Sequence, residues 1–214
     1  MSSHVSETIK TYDRIAKDYG ITAVPELRAW HEESMRKFQS YLKSERILVA
    51  ACGDGRDSRF LKSLGLSVFS FDLSEGMLNE ARRHDPQGEY ISMDLRSITQ
   101  LKEKFGGIVA TGCLYHLSES EFERCISDIA SILMRDGVFY LSMKTGSGAE
   151  TKSTPGKGYP GGEEAKDKLS GPRFYQYYSP EQLIAFLKPE FDVLDWRNKE
   201  AQKEGVVEFW VRKR

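Results

Sequence analysis

A chain of 214 residues is long enough for one α/β domain with a real core. Its 31 basic and 32 acidic side chains sum to a formal charge of −1, which leaves no electrostatic footprint for nucleic acid and favours a small-molecule partner. No apolar run nears the length of a membrane span, and the start MSSHVSETIK lacks the apolar core of a signal peptide. Cys52, Cys113 and Cys125 have neither disulfide-like nor metal-ligand spacing, so reduced thiols, no metal and a cytoplasmic location are expected. The oligomeric state is not legible.

In chain order, Ile9, Tyr12, Ile15, Ala16 and Tyr19 recur at helical spacing. Pro25 interrupts, and Trp30, Ser34, Phe38 and Tyr41 make a second helical stripe. The period then changes. Ile47–Ala51 is a short apolar run that enters glycines and reads as a buried parallel strand. Strand and helix alternate from there. Phe60–Leu64 is helical and stops at Gly65; Val68–Phe71 is a strand; Ser74 caps a helix carrying Met77, Leu78 and Ala81. Tyr90–Met93 and Ile108–Thr111 are strands. Ser118 with Glu121 is a capping box opening a helix with Phe122, Cys125, Ile126 and Ile129 on one face. Asp136-Gly137 turns into the strand Val138–Met143.

The end differs in kind. Ser179-Pro180-Glu181-Gln182 opens a helix, and Phe191–Trp196 and Val206–Val211 follow with no helix between them, so they should pair antiparallel. The expected fold is a doubly wound, mostly parallel seven-stranded α/β sheet with a C-terminal antiparallel hairpin and helices on both faces. The expected division is a single domain, with 1–44 as a helical cap, 45–144 as a binding core, 145–178 as a lid, and 179–214 as the closing helix and hairpin. The stretch Thr145–Pro172 is rich in Gly and Pro, without helical or strand periodicity. A loop this long in a compact domain is more often functional than idle.

Three strand ends share one rim. The first runs into Ala51-Cys52-Gly53-Asp54-Gly55, a turn whose glycines let a ligand approach the backbone. The second ends in Asp72, placed to accept hydrogen bonds from ribose hydroxyls. The third ends in Asp94. Ligands of open α/β sheets bind at this rim.

With these residues in view, the chain from Tyr12 onward resembles the class I S-adenosylmethionine-dependent methyltransferases. Tyr12–Tyr19 (YDRIAKDY) resembles their opening helix, whose tyrosines close over the cofactor. The resemblance implies cofactor contacts from Tyr12, Tyr19, Ala51, Gly53, Asp54, Gly55, Leu73, Met77, Leu95 and Gly112, the ribose on Asp72 and the adenine amino group on Asp94. Gly112–Leu117 (GCLYHL) matches the segment beside the reacting centre, which makes His116 or Tyr115 the expected base for a protonated acceptor. Lys144, Arg173, Tyr177 and Tyr178 are expected on the acceptor side, with the two cations favouring a carboxylate or phosphate. His4, His31 and His84 are scattered and read as surface residues.

Relatives carry an acid where this chain has Val49 and a glycine where it has Ala51. The loop offers Asp54 and Asp57 as substitutes for the acid, and Ala51 is a mild change if its φ is negative. The expected function is methyl transfer to a small-molecule O or N acceptor. The missing acid and glycine motivate a rival reading, a non-catalytic cofactor-binding protein on the same fold. A nicotinamide oxidoreductase is a second rival, against which the terminal hairpin and Asp94 speak.

Overall fold

The structure is a computed structural model and describes residues 3–22, 25–153, 167–199 and 205–214. Its main sheet has the order β3-β2-β1-β4-β5-β9-β8. The strands are β1 (Arg46–Ala50), β2 (Ser67–Asp72), β3 (Glu89–Ser92), β4 (Phe105–Thr111), β5 (Leu133–Lys144), β8 (Phe191–Lys199) and β9 (Val206–Lys213). The first five are mutually parallel, and β9 lies antiparallel between β5 and β8. This is the expected seven-stranded sheet. The chain reverses its winding between β1 and β4, so the crevice for a ligand opens at the carboxyl ends of those two strands.

Alternation in β1 divides the core. Leu48 and Ala50 join the cluster under α5 (Glu119–Ile132), with Phe122, Ile126 and Ile129. Ile47 and Val49 join Met35 and Phe38 of α2 (Pro25–Tyr41), Leu61 of α3 (Arg56–Ser63) and Leu78 of α4 (Glu75–His84). A two-residue period on a strand sends neighbours to opposite faces, and both faces here are helix-covered. The caps form as the sequence implies. Ser74 accepts the Met77 N–H at 3.1 Å, and the Ser118 N–H donates to Glu121 at 2.9 Å. Ser179 and Gln182 close the box of α6 (Pro180–Leu187).

One expectation fails outside the main sheet. The Gly- and Pro-rich stretch contains β6 (Gly148–Lys152), which pairs antiparallel with β7 (Arg173–Tyr177) as a separate two-stranded sheet. Tertiary pairing overrides weak local pattern there: Arg173, Tyr175 and Tyr177, spaced by two, all point inward and are buried. The centre of the expected lid, 154–166, lies outside the described residues.

Helix α1 (Ser3–Ile15) lies across the rim instead of on the sheet. Asp13 fastens it to α4, accepting from the Ser74 hydroxyl at 2.6 Å and the Gly76 N–H at 2.9 Å. A Cβ at Gly76 would meet the Asp13 carbonyl oxygen at 2.6 Å, so only glycine permits this approach. On its other side, Thr11 donates to the Pro172 carbonyl at 2.8 Å, and Thr8 accepts the Phe174 N–H at 3.1 Å. The helix therefore closes over the carboxyl ends of the strands.

Candidate active site

Beneath α1 lies a cavity that opens to solvent, with about 790 Å³ of space counting its mouth. Its floor comes from the strand ends: Ala51 and Gly53 after β1, Asp72 and Leu73 after β2, Asp94 and Leu95 after β3, and Thr111 and Gly112 at the end of β4. Met77 and His116 complete the wall, and Tyr12 and Tyr19 cover it. Eleven widely separated sequence-predicted residues thus meet in one place: Tyr12, Tyr19, Ala51, Gly53, Asp72, Leu73, Met77, Asp94, Leu95, Gly112 and His116.

Asp72 is buried, and its carboxylate is aimed by the backbone. Oδ2 accepts the Gly53 N–H at 2.8 Å, and Oδ1 accepts the Ser74 N–H at 2.9 Å. Burial raises its pKa, opposed by the N–H groups of Ser74, Gly53 and Leu73. Each oxygen keeps lone-pair capacity for a further donor. A Cβ built on Gly53, which has φ +56°, would meet nothing within 4 Å, so open space adjoins the turn. A carboxylate with spare capacity beside an open glycine turn fits the ribose and methionine parts of S-adenosylmethionine.

Asp94 is also on the wall, but Arg96 forks it, with Nη2 at 2.6 Å from Oδ2 and Nε at 3.0 Å from Oδ1. Burial acts to raise the Asp94 pKa, yet Arg96 holds it below the ordinary carboxylate value. Arg96 reaches on to Glu121 at 2.7 Å. An adenine amino group at Asp94 would share its acceptor with this cation.

His116 is held on both ring nitrogens. Nδ1 lies 2.5 Å from the Phe174 carbonyl, and Nε2 lies 2.9 Å from the Tyr12 hydroxyl. A carbonyl only accepts, so Nδ1 carries the proton, and Tyr12 must donate to the Nε2 lone pair. Burial lowers the pKa of His116 to about 3; the Phe174 carbonyl opposes this, and the cations Arg173 and Lys144 add to it.

Several expected site residues stand elsewhere. Asp54 is buried against Arg56, whose Nε and Nη2 both approach it at 2.9 Å, and it does not line the cavity. Gly55 serves packing: a Cβ there would meet the Tyr90 hydroxyl at 2.8 Å. Tyr115 stands behind His116, its ring 5.3 Å from that of Tyr175. Tyr178 is core, packed between Phe122 and Phe186. Tyr177 stacks on Tyr175 away from the cavity lining. Arg173 and Lys144 form an outer layer, Arg173 over the Tyr12 ring at 5.7 Å and Lys144 over the Tyr175 ring at 4.9 Å.

His31 is not a surface residue: it is half-buried, with Nε2 2.7 Å from Asp57 Oδ1. His4 is half-buried too and faces Glu121 at 3.4 Å, whereas His84 is exposed as expected. Val49 sits in the apolar layer under α2, and Asp57 is committed to His31, so neither supplies the missing acid on the cavity wall. Sequence reasoning missed Val5, Thr8 and Ile9, which line the cavity from α1, and Arg96. The three helix residues continue the stripe of Tyr12 toward the N-terminus at spacings of three and four, which was the available signal.

Ala51 corrects an expectation: its φ is +50°, not negative. A left-handed residue with a Cβ costs about 1–2 kcal/mol, partly offset by the greater chain entropy of glycine. Ala51→Gly is therefore expected to raise stability by up to about 1 kcal/mol in chemical denaturation. A loss of stability would show that the methyl group's packing outweighs the strain.

The sheet order and its closing antiparallel pair give the architecture of the class I methyltransferase fold. The methyltransferase-domain family model matches residues 47–137 of the chain. An uncharacterized methyltransferase of Schizosaccharomyces pombe is 26% identical over 101 residues, covering 45% of this chain and 70% of that protein. A malonyl-[acyl-carrier protein] O-methyltransferase of Enterobacter lignolyticus is 38% identical over 60 residues, 28% of this chain and 24% of that protein. Among solved structures, a DhpI complex with S-adenosylhomocysteine superposes with a TM-score of 0.76 at 20% identity, covering 100% of this chain and 98% of that one. The N-methyltransferase NodS of Bradyrhizobium japonicum superposes at 0.67 with 14% identity, covering 97% and 98%. Among the described residues no helix is long and apolar enough to cross a membrane, and no side-chain cluster could hold a metal ion.

Proposed function

We propose that the protein transfers a methyl group from S-adenosylmethionine to an oxygen or nitrogen of a small-molecule acceptor. The observation that carries this reading is one cavity with an aimed carboxylate, Asp72, on its floor and the fixed Tyr12–His116 pair on its wall. When bound, the cofactor supplies a methyl group on positively charged sulfur. Asp72 holds the ribose, and Asp94 with Arg96 meets the adenine edge. Leu73, Met77 and Leu95 pack on the base, while Ala51, Gly53 and Gly112 admit the methionine part. Tyr12 and Tyr19, whose rings meet edge-on at 6.0 Å, exclude water. Alignment of this kind supplies on the order of 7–11 kcal/mol of a barrier. The chain works as a single domain, with α1 closing over the cofactor and β7 standing on the acceptor side.

A second reading, cofactor binding without turnover, rests on the absence of Val49, Asp54 and Asp57 from the cavity lining. The two are separated by incubating the protein with S-adenosylmethionine and a panel of hydroxy, amino and carboxylic acids. Acceptor-dependent formation of S-adenosylhomocysteine, followed by mass spectrometry, is the expected result. Tight binding without turnover of any member supports the second reading.

A further inference from the structure

His116 lines the cavity at the place where two parts of its roof meet the wall, which bears on its part in the methyl-transfer reading above. It belongs to a single turn, Leu114–His116, that follows β4. That turn is fixed from below. Leu114 and Leu117 are buried in the cluster under α5, and the His116 N–H donates to the Cys113 carbonyl at 3.0 Å. A group that holds others in place needs such a footing.

Each ring nitrogen reaches a different part of the roof. Nδ1–H donates to the Phe174 carbonyl of β7 at 2.5 Å, and Nε2 accepts from the Tyr12 hydroxyl of α1 at 2.9 Å. α1 and β7 are also joined to each other, through Thr8 to the Phe174 N–H and through Thr11 to the Pro172 carbonyl. The two elements therefore form one roof. Asp13 fastens it to α4 on one side, and His116 ties it to the β4 wall on the other.

A base needs a lone pair, and a neutral imidazole has one. Here it is engaged by Tyr12. Burial lowers the pKa of the ring to about 3, with the Phe174 carbonyl opposing. The charged groups that act on the ring, Arg173 from β7 and Lys144 from β5, also disfavour its protonation. The rings of Tyr12, Tyr115 and Tyr175 enclose it.

We infer that His116 is a positioning residue and not the base of the reaction: it fixes Tyr12 over the cofactor and holds β7 against the same wall. Its two bonds can be removed one at a time. Asparagine places an N–H donor near the Nδ1 position and keeps the Phe174 bond, whereas glutamine reaches the Nε2 position with an acceptor and keeps the Tyr12 bond. Leucine fills the space and makes neither.

The test is calorimetry with S-adenosylhomocysteine on the wild type, His116→Asn, His116→Gln and His116→Leu. Binding should be about 3- to 10-fold weaker in each amide variant, as for one ordinary hydrogen bond, and weaker again in His116→Leu. Tyr12→Phe should cost less affinity on the His116→Asn background, where its hydroxyl has already lost the ring, than on the His116→Gln background. In ¹⁵N-labelled wild-type protein, NMR should show His116 neutral with its proton on Nδ1 from about pH 5 to pH 8. Unchanged affinity in all three variants overturns the inference, since loss of a base would spare cofactor binding. Equal costs of Tyr12→Phe on the two backgrounds overturn it as well, as does a His116 that titrates within that pH range. If the wild type binds no S-adenosylhomocysteine, the methyl-transfer reading itself fails.

Discussion

Asp57→Ala is expected to destabilise the fold by about 3–5 kcal/mol, the range for removing one partner of a buried ion pair. Asp57 sits in the first turn of α3, buried, with Oδ1 2.7 Å from His31 Nε2 on α2. The pair joins two helices that flank the glycine turn. Burial alone would lower the His31 pKa, but the Asp57 carboxylate outweighs it and raises it above the ordinary 6.5. For Asp57, burial acts upward, and His31 holds the pKa below the ordinary 3.8. The raised histidine contributes stability that is full below pH 6.5 and is lost as pH rises through its folded value. The lowered aspartate contributes stability that is full above pH 3.8 and is lost as pH falls through its folded value. The pair therefore stabilises most between these limits. Urea midpoints should be higher near pH 5.5 than near pH 9, and the difference should shrink in His31→Gln. A wild-type midpoint that does not move between those pH values contradicts the assignment. The double change His31→Gln with Asp57→Asn should recover much of the loss, since two neutral groups can share one hydrogen bond.

The second large effect concerns the cofactor. Asp72→Ala should weaken S-adenosylhomocysteine binding by roughly 1.5–3 kcal/mol, as for hydrogen bonds to a charged group. That is about a 10- to 150-fold rise in Kd. The carboxylate is anchored by Gly53 and Ser74, so truncation also frees the glycine turn on which the ligand rests. Asp54→Ala is the contrast. Asp54 lies in the same loop but is committed to Arg56, so its loss should change affinity less than threefold. Calorimetry on the two variants decides the matter: equal affinities would remove Asp72 from the ribose site. Because burial raises the Asp72 pKa, affinity should also fall on acidification before an ordinary exposed aspartate would titrate.

These cases show where sequence reading reached its limit. Asp54 lies within the glycine turn, Asp57 two residues after it, and Asp72 is 19 residues from Gly53, at the end of β2. Three-dimensional packing gives Arg56 to the first, His31 to the second, and two backbone N–H groups to the third. Only the third keeps its lone pairs facing a cavity. Ala51 poses the same problem in the backbone: residue type does not reveal the sign of φ, and the turn imposed a positive one.

The amino-acid sequence by itself determined the sheet, its helices and the position of the rim. The signals are local: runs of apolar residues with period two or 3.6, and caps whose partners are three residues apart, as in Ser118 and Glu121. Such features act within one element and are readable without knowing what packs on it. Tertiary structure alone decided the pairing of Tyr12 with His116, 104 residues apart, and of His31 with Asp57, 26 apart. It also decided the β6–β7 sheet and the placement of Arg173 over Tyr12. The physical reason is that a polar group in a low-dielectric interior takes whichever complementary partner the packing brings within about 3 Å. No local pattern records which one that is.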